Sequence, residues 1–197
     1  MRIDIHFSIA KRICAEIKGL GFHLNEKSFL LGSIFPDLIH SYIWRRHEYH
    51  NSRDYIKKKI ESIKKRPYFF SFRLGIVTHY ICDYFCYPHS SAYDKGLLQH
   101  IMYEFRQTVP KNLFNLNIDI PSFSIEDLDK FVGWYERFRN LFSDDEHDFQ
   151  MAALVSSCFL QAALRLSFNE GFVFHPQEEP LYAEEGYPAY AHGGLAT

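Results

Sequence analysis

The stretch Ser71–His89, SFRLGIVTHYICDYFCYPH, decides how the chain is read. It is apolar enough to be a buried helix, yet it carries His79 and Asp83 four residues apart. At that spacing two helical side chains share one face about a turn apart, so one metal ion can take both. Pro88 ends the helix predicted over 71–87, and His89 follows at the break. Eleven residues later His100 and Glu104 repeat the spacing inside a helix predicted over 93–109. An antiparallel hairpin of these helices sets His79/Asp83 opposite His100/Glu104, with His89 at the rim between them. Imidazole nitrogen with carboxylate oxygen is a good zinc ligand set. Five ionisable groups in such an apolar setting are costly without a metal. The alternative is an interior polar network of neutral histidine and aspartate. Cys82 and Cys86 flank Asp83. Thiolate binds zinc well, but small apolar fillers beside the site are the preferred reading of both.

Outward from this stretch, helical patterning continues. Ile5, Ile9, Ile13 and Ile17 predict a helix over 4–18, with Gly19 and Gly21 as stop signals. Asn25 caps a helix over 26–34, ahead of Pro36. A basic helix is expected over 52–66, a long loop over 110–123, and a helix over 125–142 opened by the box Ser124-Ile-Glu-Asp127. Ser143-Asp-Asp-Glu146 opens a last helix over 144–168, apolar on nearly all sides and therefore expected near the centre. Strand alternation is nearly absent and no internal repeat occurs. The expected fold is an all-α, single-domain helical bundle over residues 1–175. Residues 176–197 hold three Pro, three Gly, four Glu and no Lys or Arg, and read as a flexible acidic tail.

At 197 residues the chain is long enough to bury a core without disulfides. Hydrophobic residues make up 47%, which argues against overall disorder, and a net charge of −2 excludes a generally basic nucleic-acid binder. The charge is uneven: residues 45–66 carry nine Lys/Arg against three acids, leaving −8 elsewhere. Such a basic stretch can attract phosphate or an anionic membrane, or can simply be a solvated helix face. No run of 18 apolar residues exists, and Lys11, Arg12, Glu16 and Lys18 interrupt the start, so no signal peptide is expected. The chain reads as cytoplasmic, or as secreted if it is a processed mature form. Its four cysteines do not form a dense disulfide framework.

Two earlier segments supply further polar groups. Gly32-Ser-Ile-Phe-Pro-Asp37 ends an apolar helix with a carboxylate just after a proline, and His47 lies ten residues on, with His40 and His50 as neighbouring competitors. Together with His6, His79, Asp83, Pro88-His89 and the His100-x-x-x-Glu104 pair, these residues resemble the zinc-dependent phospholipase C family, over about half of the chain. The resemblance implies the all-α phospholipase C/P1 nuclease type of fold, with a metal cluster in a cleft. It implies one zinc held by His47, His79 and Asp83, and a second held by His89, His100 and Glu104. A third zinc would be held through His6, Asp83 and the main-chain amine and carbonyl of Met1; the family carries an N-terminal tryptophan there, and with Met1 in its place a weak third site or a two-zinc enzyme is expected. Asp83 would then bridge two ions, and Asp37 would orient or deprotonate the attacking water.

The function so implied is cleavage of a phospholipid head group by a metal-activated water. Any transient membrane contact would come from the helical domain, with the 45–66 stretch and its aromatics as candidates. An S1/P1-type nuclease is the runner-up. Glu104 and the short gap from His89 to His100 favour the lipase, and no stable nucleic-acid partner is expected. A metal-stabilised helical module without catalysis is the third reading. An HD-type phosphohydrolase is set aside, because the His147-Asp148 dipeptide has no later aspartate to complete it. His23, His147, His175 and His192 are expected away from the site.

Overall fold

A computed structural model describes residues 1–39, 47–65, 69–91, 93, 95–108, 122–139 and 145–169. These hold seven α-helices, one 3-10 turn and no strand: α1 (Ile3–Gly19), α2 (Glu26–Leu38), α3 (Tyr49–Lys65), α4 (Phe70–Tyr84), the turn Tyr87–His89, α5 (Leu97–Arg106), α6 (Ile125–Phe138) and α7 (Asp145–Asn169). The expected all-α architecture is observed. The 110–121 part of the expected loop, the 176–197 tail, His40, and Ser143 of the last capping box lie outside the described residues.

Helix α4 packs against α1, α2, α3 and α7, and all its residues except Phe72 and Arg73 are buried. Its run of apolar side chains leaves no face suited to water, so the other helices enclose it. Helix α7 lies against α4 and α1, as its apolar circumference predicts. Helix α1 turns Ile5, Ile9, Ile13 and Ile17 into this core at the spacing read from the sequence.

Several helix ends differ from expectation. Helix α2 continues through Pro36 to Leu38, because a proline in a last turn forgoes a single backbone bond. Helix α4 is capped by Phe69, in the left-handed conformation with φ 55°, rather than by Ser71, whose hydroxyl instead accepts from the Asn25 amide at 3.1 Å. It ends at Tyr84, earlier than expected, since the Pro88 ring would crowd the carbonyl four residues back. Helix α5 is shorter than expected because Gly96 is extended and Gln107, at φ −57° and ψ 129°, has left the helical conformation. The Ser124–Asp127 capping box is present, with the hydroxyl accepting from the Asp127 amide and the carboxylate from the Ser124 amide.

Candidate metal centre

The site begins where α2 crosses α4. A Cβ on Gly32 would stand 2.1 Å from the Phe72 carbonyl oxygen, and one on Gly75 would stand 2.3 Å from that of Phe29. Only two glycines allow the backbones so close. The crossing brings the Ser33 carbonyl to 2.9 Å from His79 Nδ1. A carbonyl only accepts, so Nδ1 carries the proton and Nε2 presents its lone pair to the cleft. Asp37, a turn beyond Ser33, stands with Oδ1 3.6 Å from that Nε2.

Asp83, one turn after His79 on α4, is fully buried and faces two ways. Its Oδ1 is 2.8 Å from the Met1 amine and 3.2 Å from His6 Nε2. Its Oδ2 is 2.7 Å from His47 Nδ1 and 3.3 Å from His79 Nε2. The rings of His6 and His79 stack at 4.0 Å between centroids. His47 precedes α3 and enters the cleft, whereas His50, one turn on, is exposed.

The third set comes from the 3-10 turn and α5. Glu104 Oε1 is 3.5 Å from His89 Nε2, 3.3 Å from His100 Nε2 and 3.0 Å from the Met1 amine. Asp148 on α7 holds these elements in place. Its carboxylate accepts from the Tyr87 amide at 3.0 Å, from the Tyr103 hydroxyl at 2.5 Å and from the Tyr135 hydroxyl at 2.7 Å, and pairs with Arg139. Tyr87 precedes His89 by two residues and Tyr103 directly precedes Glu104, so one buried acid ties both to the core. Arg2 links the chain's start to α5 by donating to the Gln107 carbonyl at 3.2 Å.

The electrostatics suit metal ligation. Burial, then the charge of His79, lowers the His6 pKa to about 3. Burial, then the Met1 amine, lowers that of His89 to about 4. Both rings are therefore neutral lone-pair donors at neutral pH. Burial opposes the charge on Asp83, but the Met1 amine and the His89, His6 and His79 rings outweigh it and hold the pKa well below the usual carboxylate range. Glu104 is lowered in the same sense, its hydrogen bonds to His100 and His89 outweighing burial. Burial opposes charge on His47, and Asp83 outweighs it, raising that pKa. Asp37 is raised by burial, with Asp83 adding to it.

Three groups could each hold an ion: His6, His79 and Asp83; Asp37, His47 and His79; and His89, His100 and Glu104. Two donors about 2.1 Å from one tetrahedral zinc stand roughly 3.4 Å apart. The separations His47–His79 (3.4 Å), His79–Asp83 (3.3 Å), His89–Glu104 (3.5 Å) and His100–Glu104 (3.3 Å) fit that value. Nδ1 of His6, Nε2 of His47 and Oδ2 of Asp37 are buried without a hydrogen-bond partner among the described residues. Orphaned donors and acceptors of this kind are costly, and a metal ion would satisfy them.

A cavity of about 1160 Å³ opens over these groups, lined by Met1, Asp37, His47, His89, His100 and Glu104 at its base and by Ile3, Phe7 and Leu97 on its wall. All eight residues singled out in the sequence therefore converge. The Cys82 thiol instead lies 3.5 Å from the Ser156 hydroxyl, and Cys86 receives a hydrogen bond from Gln107. Burial pushes both thiols up to about 12, so they are not thiolates. His23 and His147 belong to no ligand group, and His175 and His192 lie outside the described residues. Sequence reasoning missed Glu48, which lines the cavity beside His47, and the anchoring part of Asp148. No sequence signal set the latter apart, since Asp148 follows Asp145, Glu146 and His147 in the acidic first turn of α7.

An all-helical cleft that gathers five imidazoles and three carboxylates is a donor set suited to metal ions. The chain belongs to the zinc dependent phospholipase C family, whose model matches residues 5–146. No curated protein and no solved structure matches the chain. Membership implies zinc dependence, hydrolase chemistry on phosphodiesters and a phospholipid substrate. No helix among the described residues is long and apolar enough to cross a membrane.

Proposed function

We propose that the protein is a zinc-dependent phosphodiesterase of the phospholipase C type that cleaves a phospholipid head group with an activated water. The observation that carries this reading is Asp83, whose two oxygens face two separate histidine sets beneath one open cavity. His47, His79 and Asp83 would hold one ion and His89, His100 and Glu104 a second. His6, Asp83 and the Met1 amine would hold a third. Zinc, when bound, supplies Lewis acidity toward phosphate oxygens and makes a nucleophilic water available at neutral pH.

The chain's own groups do the rest. Asp37 stands at the cavity base with one oxygen unpartnered, and burial raises its basicity. It orients the attacking water and takes its proton. Ser33 keeps the His79 lone pair aimed into the cleft, and the apolar wall accepts the glycerol and acyl portion of the substrate.

The test is a zinc count per chain, with turnover of a chromogenic phosphocholine ester compared with single-stranded DNA, in zinc-loaded and chelated protein. Zinc-dependent turnover of the ester supports the reading. Preferential cleavage of DNA favours a nuclease, and bound zinc with no turnover favours a non-catalytic module. Asp37→Asn is expected to keep its zinc while turnover falls about 10²–10⁴-fold, the usual worth of a general base. Loss of zinc from that variant would instead make Asp37 a ligand.

A further inference from the structure

Helix α5 has its amphipathicity reversed relative to the solvent. His100, Tyr103 and Glu104 are turned toward the protein, while Gln99 and Arg106 are exposed beside the apolar face. Leu97, Leu98, Ile101, Met102 and Phe105 are turned outward, with Leu97 76%, Leu98 66% and Phe105 78% exposed. None of its ten residues is buried. Spacings of three and four place the five apolar residues on one continuous face. Contiguous exposed apolar surface of this kind marks an interaction site. Ile3 and Phe7, four apart on α1, are also exposed, and with Leu97 they form the wall of the cavity. Arg2 bonds the start of α1 to the end of α5, and Leu97 joins the α5 face to the cavity mouth that Ile3 and Phe7 also line.

Charge indicates the partner. Lys95 and Arg106 are exposed at the two ends of the face, and the only acid over 95–108, Glu104, is turned into the metal centre. An apolar strip ended by cations, with no outward acid, complements the acyl boundary and phosphate layer of a lipid surface. We propose that the outer face of α5 seats on a phospholipid surface, so that the helix supplying His100 and Glu104 also brings the cavity mouth against the head groups. The choice of lipid as partner rests on the phospholipase reading. The basic α3 offers charge without such a strip, since Tyr49, Ile56 and Ile63 are buried.

The experiment is flotation of the zinc-loaded full chain with vesicles of phosphatidylcholine, with and without phosphatidylglycerol. It is paired with turnover of the soluble chromogenic phosphocholine ester. The wild type should float, more strongly with the anionic lipid. Leu98→Glu/Phe105→Glu should weaken vesicle binding by at least about ten-fold, because interfacial binding scales with buried apolar area. Its zinc content and turnover of the soluble ester should be unchanged. Phe105→Ser is the milder variant should the double one lose its circular dichroism, and it should weaken binding in the same direction. A wild type that does not float, or a variant that floats equally well, overturns the proposal. So does a dimer that sediments as such and dissociates in the variant, since a second copy would then cover the face. Flotation without turnover of the ester leaves the docking face standing and sinks the phospholipase reading. Turnover without flotation does the reverse.

Discussion

Asp83 Oδ1 faces the Met1 amine and His6 while Oδ2 faces His47 and His79, so neutralising this one side chain removes a ligand from two proposed ions. Glu104 serves His89 and His100 through a single oxygen. Asp83→Asn is therefore expected to lose more zinc per chain, and more turnover, than Glu104→Gln. The asparagine amide nitrogen would also point a donor at a nitrogen cluster that needs an acceptor. Metal analysis of the two variants beside the wild type checks this, and equal losses would show that Asp83 does not bridge.

At the scale of elements, the site depends on how closely α2 and α4 approach. The Gly32–Gly75 crossing sets the Ser33–His79 bond and the position of Asp37 together. In Gly75→Ala the new methyl would meet backbone, not a flexible side-chain end, so a helix has to shift. A stability loss of about 1–3 kcal/mol is expected from overpacking. Turnover should fall further than stability accounts for, because Asp37 and His79 separate. Denaturant melts set beside kcat/KM test this, and an unchanged kcat/KM would show that the crossing does not set the site. The convergence of the candidate ligand residues was legible in the sequence because four-residue spacing on a helix turns directly into a shared face, as with His79/Asp83 and His100/Glu104. Asp148 was not legible in its anchoring part, since its partners Tyr87 and Tyr103 lie 61 and 45 residues away and meet it only through tertiary packing. The continuation of α2 through Pro36 was hidden for a related reason. Propensity speaks against proline, and the packing of α2 on α4 overrides it.

For the molecule as a whole, the centre concentrates groups whose protonation differs between the folded and unfolded chain. His6 and His89 have pKa values of about 3 and about 4 in the metal-free fold, against about 6.5 when unfolded. Between those values the unfolded chain binds protons that the folded one refuses, so stability falls as pH drops below about 6.5. Asp83, held low chiefly by the Met1 amine, and Glu104, held low by its hydrogen bonds to His100 and His89, contribute stability that is complete above their unfolded values and is lost on further acidification. His47, raised by Asp83, acts in the opposite sense, adding stability at low pH that is lost as pH rises through its folded pKa. Asp37 and Asp148, raised by burial, act in the same sense as His47, but His6 and His89 carry the larger shifts, and the net slope between pH 7 and 5 is downward toward acid. The chelated protein is therefore expected to lose at least ~5 °C in Tm over that interval. Zinc should raise Tm at pH 7, and this gain should shrink toward pH 5, because metal and protons compete for the same imidazoles. Calorimetric scans of chelated and zinc-loaded protein at the two pH values measure both effects. A chelated Tm that stays level from pH 7 to 5 would mean that His6 and His89 accept protons in the folded state, and so are not neutral lone-pair donors for the proposed ions.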